Sequence, residues 1–93
     1  MSYRIEFLEE AAEDWNRLDP SVKKRLAGAF ERLKIGPDRY GKPLSAPLHG
    51  LRRVRSGDYR IVYRVEKATE AVVIGVVCHR AEVYSMALKW RLV

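Results

Sequence analysis

Cysteine is nearly missing from this sequence: Cys78 is the only one among 93 residues. A lone cysteine excludes a disulfide within the chain and any thiolate metal cluster. Its apolar neighbours make it read as a small buried hydrophobe. Long apolar runs are missing too. The longest, residues 71–78, falls far short of the ~20 residues that a membrane-spanning helix needs. Arg4, Glu6, Glu9 and Glu10 interrupt the first residues, so no secretory leader is expected and a reducing cytoplasm fits. Carboxylates become scarce along the chain. Residues 1–22 carry two basic and six acidic side chains, whereas residues 23–93 carry sixteen basic and six acidic. No repeat, linker or low-complexity segment interrupts the pattern.

What is present reads as one globular domain. Hydrophobic residues make up 47% and charged residues 32%, and the net charge is +6. Concentrating that charge in the later part favours a polyanionic partner such as RNA or DNA over a merely solvated basic surface.

Tyr3 to Phe7 alternate apolar and polar, which predicts a short strand with one buried face. Leu8, Ala11, Ala12, Trp15 and Leu18 then follow helical spacing, with Glu9, Glu10, Glu13 and Asp14 toward the end that the helix dipole favours. Asp19-Pro20 punctuates the chain. Asp19 suits the cap of a second helix and Pro20 its first turn. Val22, Leu26, Ala29, Phe30 and Leu33 stripe that helix, and Gly36-Pro37 ends it. Residues 36–50 read as an irregular loop in which Arg39, Lys42 and His49 default to solvated positions. Strands follow at Leu51–Arg55, at Tyr59–Val65 after a Ser56-Gly57-Asp58 turn, and at Val72–Cys78. A short terminal helix fits Glu82–Arg91. This order predicts an α+β fold, with an N-terminal helical hairpin packed on one face of a small, mainly antiparallel twisted sheet of about four strands. A short helix would end it, and the other face would stay open, with Arg60 and Arg64 projecting from it.

The chemistry-bearing residues cluster after residue 50. Arg53, Arg55 and Arg60 flank one hairpin, where guanidinium groups can bind phosphate oxygens bidentately and stabilise charge building on a phosphate. Their bland alternative is a solubilising face. Arg80 ends a strongly apolar strand, where an unpaired buried cation would be costly, so it is exposed over a cleft or paired. His79 beside it can move protons near neutral pH or be structural. Tyr84 offers a phenol for proton transfer or base stacking, or ordinary core.

The order of these residues goes further. Tyr59-Arg60-Ile61-Val62-Tyr63 after a Ser-Gly-Asp turn, then His79-Arg80-Ala81-Glu82-Val83-Tyr84, closely resembles the RelE/ParE family of bacterial toxins. Leu18-Asp19-Pro20 and Gly41-Lys42-Pro43-Leu44 are similar to that family as well, and the resemblance covers essentially residues 1–93 as a single RelE-like toxin domain. It implies a cytoplasmic, metal-independent endoribonuclease (an mRNA interferase) that enters the ribosomal A site, cuts mRNA by attack of the 2′-hydroxyl on the adjacent phosphate, and so inhibits translation. No cofactor is implied. On the matching positions Arg60 would stabilise the transition state, Arg80 would hold the phosphate and help protonate the leaving oxygen, and Tyr84 would orient the 2′-hydroxyl or stack on a base. Arg53 takes the place of a basic residue that is often lysine, and Arg52, Arg55 and His79 would contact RNA. A second lysine of some members aligns with Leu51. Because arginine does not readily lose its proton, the general base falls to Tyr84 or His79. The resemblance also implies a cognate RelB-like antitoxin from the same operon, held in a hetero-oligomeric complex, with ribosome and mRNA as targets and no membrane partner. Two alternatives stand beside it: a ParE-like inhibitor of DNA gyrase, and a non-catalytic nucleic-acid-binding module.

Overall fold

The computed structural model describes residues 2–45 and 48–92, with the side chains of residues 81, 83–85, 91 and 92 outside the description. Strand β1 (Arg4–Phe7) leads into helices α1 (Glu9–Arg17) and α2 (Pro20–Ile35). A short helix α3 (Pro37–Tyr40) and a two-residue strand β2 (Lys42–Pro43) follow. Then come β3 (Arg52–Ser56), β4 (Tyr59–Glu66) and β5 (Ala71–His79). A single 3₁₀ turn (Arg80–Glu82) hands over to helix α4 (Val83–Leu92).

The expected hairpin of α1 and α2 is present. Leu18 and Asp19 break the helices apart, and Pro20 stands at the first helical position, where its missing N–H costs nothing. Asp19 occupies the cap position but its side chain caps nothing. Gly36 closes α2, donating its backbone N–H to the Arg32 carbonyl at 3.0 Å. Within the stretch expected to be an irregular loop, residues 37–43 hold α3 and β2.

The sheet has five strands in the order β1-β5-β4-β3-β2. All neighbours are antiparallel except β1 and β5, which run parallel with Ile5 opposite Val72. β5 is therefore flanked on both edges, which is why its sequence is almost uniformly apolar. Between β4 and β5 the register slips: Val62 pairs Val76, but Tyr63 pairs Ile74. Gly75 is the extra residue of this bulge.

Alternation sorts the side chains onto two faces. On one face Val54, Ile61, Tyr63, Val72, Ile74 and Val77 pack under α1 and α2, against Leu26, Ala29, Phe30 and Leu33. Phe7, Trp15 and Phe30 close this core with ring centroids 5.1–6.0 Å apart.

The opposite face departs from expectation. It is not open throughout, because α4 packs over Val62, Val76 and Cys78 through Ala87, with Leu48 and Leu51 beside it. Gly75 makes this possible, since any side chain there would overlap the Trp90 ring. Arg64 does not project freely either: its guanidinium lies 5.7 Å over that ring. Among the described residues, the end of this face nearest the β3–β4 turn stays uncovered, with Arg55 exposed and Arg53 and Arg60 half-buried.

Candidate active site

The β3–β4 hairpin fixes the first three guanidinium groups. Ser56 pairs Tyr59, leaving a two-residue loop of Gly57 and Asp58. Gly57 takes φ +60°, the value that the first loop position of a tight hairpin turn requires and glycine accepts freely. With this register, Arg55 lies directly across from Arg60, and Arg53 across from Val62. Arg53, Arg55 and Arg60 therefore share the uncovered face.

Arg80 joins them from twenty residues later in the chain. As β5 ends, the backbone N–H of Arg80 donates to the Asp58 carbonyl in the hairpin loop at 2.7 Å. That bond ties the 3₁₀ turn to the hairpin tip. Arg60 feels the result: its pKa is held below the usual arginine value by partial burial first, then by Arg55, Arg53 and Arg80, with Asp58 opposing. It remains a cation at any ordinary pH. Arg60 also donates from one Nη to the carbonyls of Gly57 (3.0 Å) and Tyr59 (3.1 Å), which fixes its stem over the turn. None of these four arginines is in an ion pair among the described residues. Like charges facing each other across a strand pair destabilise the fold, and an anion placed among them would relieve that repulsion.

The remaining expected residues lie elsewhere. Arg52 is separated from Arg53 by strand parity and points to the helical-hairpin face. There its guanidinium donates to the carbonyls of Pro37 (3.2 Å), Asp38 (2.8 Å) and Gly41 (2.6 Å). Beside it the buried Tyr63 hydroxyl donates to the same Pro37 carbonyl at 2.6 Å. Arg52 is thus a tether for residues 37–41 and does not reach the cluster that was expected to contain it. His79 pairs Tyr59 and also lies on the hairpin side, its ring edge-on to Tyr59 at 5.9 Å. Tyr84 stands in the first turn of α4, just beyond the 3₁₀ turn, and its side chain lies outside the described residues. Among the described residues no three carboxylate, histidine or cysteine side chains are gathered as a metal site would need.

The structure is that of a basic α+β domain whose sheet gathers guanidinium groups that are in no ion pair among the described residues. The match to known proteins narrows the class. Residues 5–84 fit the family described as ParE toxin of type II toxin-antitoxin system, parDE. The chain is 38% identical to toxin RelG of Mycobacterium tuberculosis, over 90% of this chain and 98% of that one. It is 34% identical to the mRNA interferase toxin RelE of Escherichia coli K12, over 96% and 97%. Among solved structures it is similar to the toxin in the RelBE2 toxin–antitoxin complex of M. tuberculosis. There the TM-score is 0.78 at 36% identity, covering 86% of this chain and all of that one. The isolated E. coli RelE toxin gives 0.74 at 27% identity, over 99% and 100%. The chain belongs to the RelE/ParE superfamily of type II toxins, on its RelE-like branch.

Proposed function

We propose that residues 1–93 act as one cytoplasmic toxin domain, a ribosome-dependent endoribonuclease that cuts mRNA in the A site. The observation that carries this reading is the convergence of Arg53, Arg55, Arg60 and Arg80 on one uncovered face, with no carboxylate ion-paired to them among the described residues. Charge of that kind suits a phosphate whose equatorial oxygens gain negative charge when the neighbouring 2′-hydroxyl attacks. The nucleophile belongs to the RNA, so this chain needs to supply only three things: charge around the phosphate, an acceptor for the 2′-proton, and a donor for the departing 5′-oxygen. The products are a 2′,3′-cyclic phosphate and a 5′-hydroxyl, and no metal takes part.

Arg60, held over the turn by its two carbonyl contacts, stabilises the transition state. Arg80, exposed at the hairpin tip, binds the phosphate and assists the leaving oxygen. Arg53 and Arg55 hold the strand. Tyr84, as the phenolate that neighbouring arginines would favour, accepts the 2′-proton and becomes the phenol, because it follows Arg80 by four residues across the 3₁₀ turn, whereas His79 lies on the other side of the sheet. The name of the E. coli relative, an mRNA interferase, supports the chemistry. The RelBE complexes among the similar structures support an antitoxin partner, whose acidic segments would meet the basic face.

The test is induction of this chain in a bacterium, with primer-extension mapping of a translated mRNA and of the same mRNA lacking its start codon. Cuts confined to the translated message and lost in Arg80→Ala are expected. Growth arrest with intact mRNA would move the target to gyrase, as in the ParE branch. Tyr84→Phe should slow cleavage far more than His79→Ala, and the reverse ranking would reassign the base.

A further inference from the structure

A cavity of about 440 Å³ opens beside the sheet edge, lined by Arg32, Tyr40, Lys42, Arg53, Val54 and Arg55. Strand lengths explain its position. β2 has two residues and pairs only Arg52 and Arg53, so among the described residues no strand covers the outer edge of β3, the one away from β4, from Val54 onward. Arg53 and Arg55 border the cavity from the guanidinium face and Arg32 borders it from α2. Tyr40 and Lys42 come from the segment that Arg52 and Tyr63 tether. Arg32, Lys42, Arg53 and Arg55 are in no ion pair among the described residues. Tyr40 is 42% exposed, one of two large apolar side chains left open to solvent among the described residues.

We propose that this cavity is a second nucleotide subsite, in which Arg32 and Lys42 hold the phosphate of a nucleotide flanking the cleaved one and Tyr40 stacks on its base. The inference rests on the reading of the sheet face as an RNA site and extends it around the edge of β3. Two features select single-stranded RNA over an acidic peptide. A peptide carboxylate needs the cations but has no use for an exposed ring beside them, whereas a base stacks on such a ring whatever its identity. The cavity also shares Arg53 and Arg55 with the guanidinium cluster, so one strand can run through both sites without leaving basic surface.

The test measures fluorescence anisotropy of the full chain with labelled RNAs of three and nine nucleotides, 2′-O-methylated to block cleavage. The nine-mer should bind more tightly than the three-mer. The double variant Arg32→Ala/Tyr40→Ala should weaken the nine-mer by about 10-fold and leave the three-mer unchanged. Tyr40→Phe in the wild-type background should keep full affinity because it keeps the ring, which also separates stacking from any loss of fold. The salt dependence of nine-mer binding should flatten by ~0.7 for each phosphate contact removed. Unchanged nine-mer affinity in the double variant, or an equal loss at both lengths, overturns the subsite. If Arg60→Ala weakens the three-mer while the double variant changes nothing, the subsite alone falls. If neither RNA binds the wild type, the underlying reading falls with it. Weakened binding of a nona-glutamate peptide with unchanged RNA affinity gives the cavity to an acidic partner and overturns the proposal.

Discussion

Gly41→Ala should be among the most damaging single-methyl changes in this protein, and the damage should shrink when a second residue is changed. Gly41 is buried just after α3, and its carbonyl accepts the Arg52 guanidinium at 2.6 Å. A Cβ there would overlap the Tyr63 hydroxyl and come within 2.8 Å of Cζ. The ring has nowhere to go: Tyr63 is 0% exposed, and its hydroxyl is bonded to the Pro37 carbonyl at 2.6 Å. Overpacking of this kind costs ~1–3 kcal/mol, and displacing the hydroxyl adds ~1 kcal/mol for its hydrogen bond. About 3 kcal/mol is therefore expected for Gly41→Ala, from these two contributions. Tyr63→Phe alone should cost only ~1 kcal/mol, because Pro37 keeps the Arg52 bond. If the effects were independent the double variant would lose ~4 kcal/mol; removing the overlapping oxygen should bring it to ~2–3 kcal/mol instead, a coupling of at least ~1 kcal/mol. Urea unfolding of the four proteins of this cycle measures the difference directly, and each kcal/mol should appear as ~4–8 °C in Tm. Additivity within ~0.5 kcal/mol would refute the argument that the hydroxyl is the obstacle.

Arg52→Ala should lower stability by ~1.5–3 kcal/mol, the range for charge-assisted bonds to carbonyls, yet leave three-nucleotide RNA binding intact; a selective loss of RNA binding with unchanged stability would return Arg52 to the site. Gly75→Ala should cost ~1–3 kcal/mol by driving Trp90 off the sheet, and a loss of Trp90 fluorescence shift upon folding should accompany it. Burial, with Glu82 and Asp14 adding to it, pushes the Cys78 thiol up to about 11 from its ordinary 9.0. The folded state thus keeps the proton that the unfolded chain releases first, so this group's contribution is whole below pH 9 and fades as pH rises toward 11. Cys78→Ala should show a shallower decline in stability than the wild type over that window, and parallel declines would remove Cys78 as the cause.

Much of the architecture was legible because the periodicities were strong. Leu26, Phe30 and Leu33 could only stripe a helix, and Ser-Gly-Asp between two alternating runs could only turn a hairpin. The placement of α4 was not legible. Its apolar residues do not form a single clean stripe, and what draws it onto the sheet is the bare backbone at Gly75, a feature of the β5 bulge that period-two reading skips over. The parallel pairing of β1 with β5 joins segments more than sixty residues apart, for which local pattern carries no signal. In the site, Arg53, Arg55 and Arg60 followed from hairpin register, and Arg52 was separable from them by parity alone. That Arg80 closes on the same cluster depends on one backbone bond to Asp58, which no side-chain pattern announces. Tyr40 and Lys42 sat in a stretch too rich in proline and glycine to read, and only the tether from Arg52 shows where they are aimed.

The position of β5 has a further consequence for how the protein is made. This strand hydrogen-bonds to both β1 and β4, so the sheet stays in two pieces until residues 71–79 have been synthesised. Until then α1 and α2 have only part of the apolar floor they cover, and Arg80 has not yet been added. Chain growth runs from the N-terminus at ~5–20 residues per second, and pairings this distant in sequence form late because the loop they close is long. Chain growth therefore reaches Arg80 only after β1 to β5 have been made, so the four-arginine face is completed after every strand of the sheet.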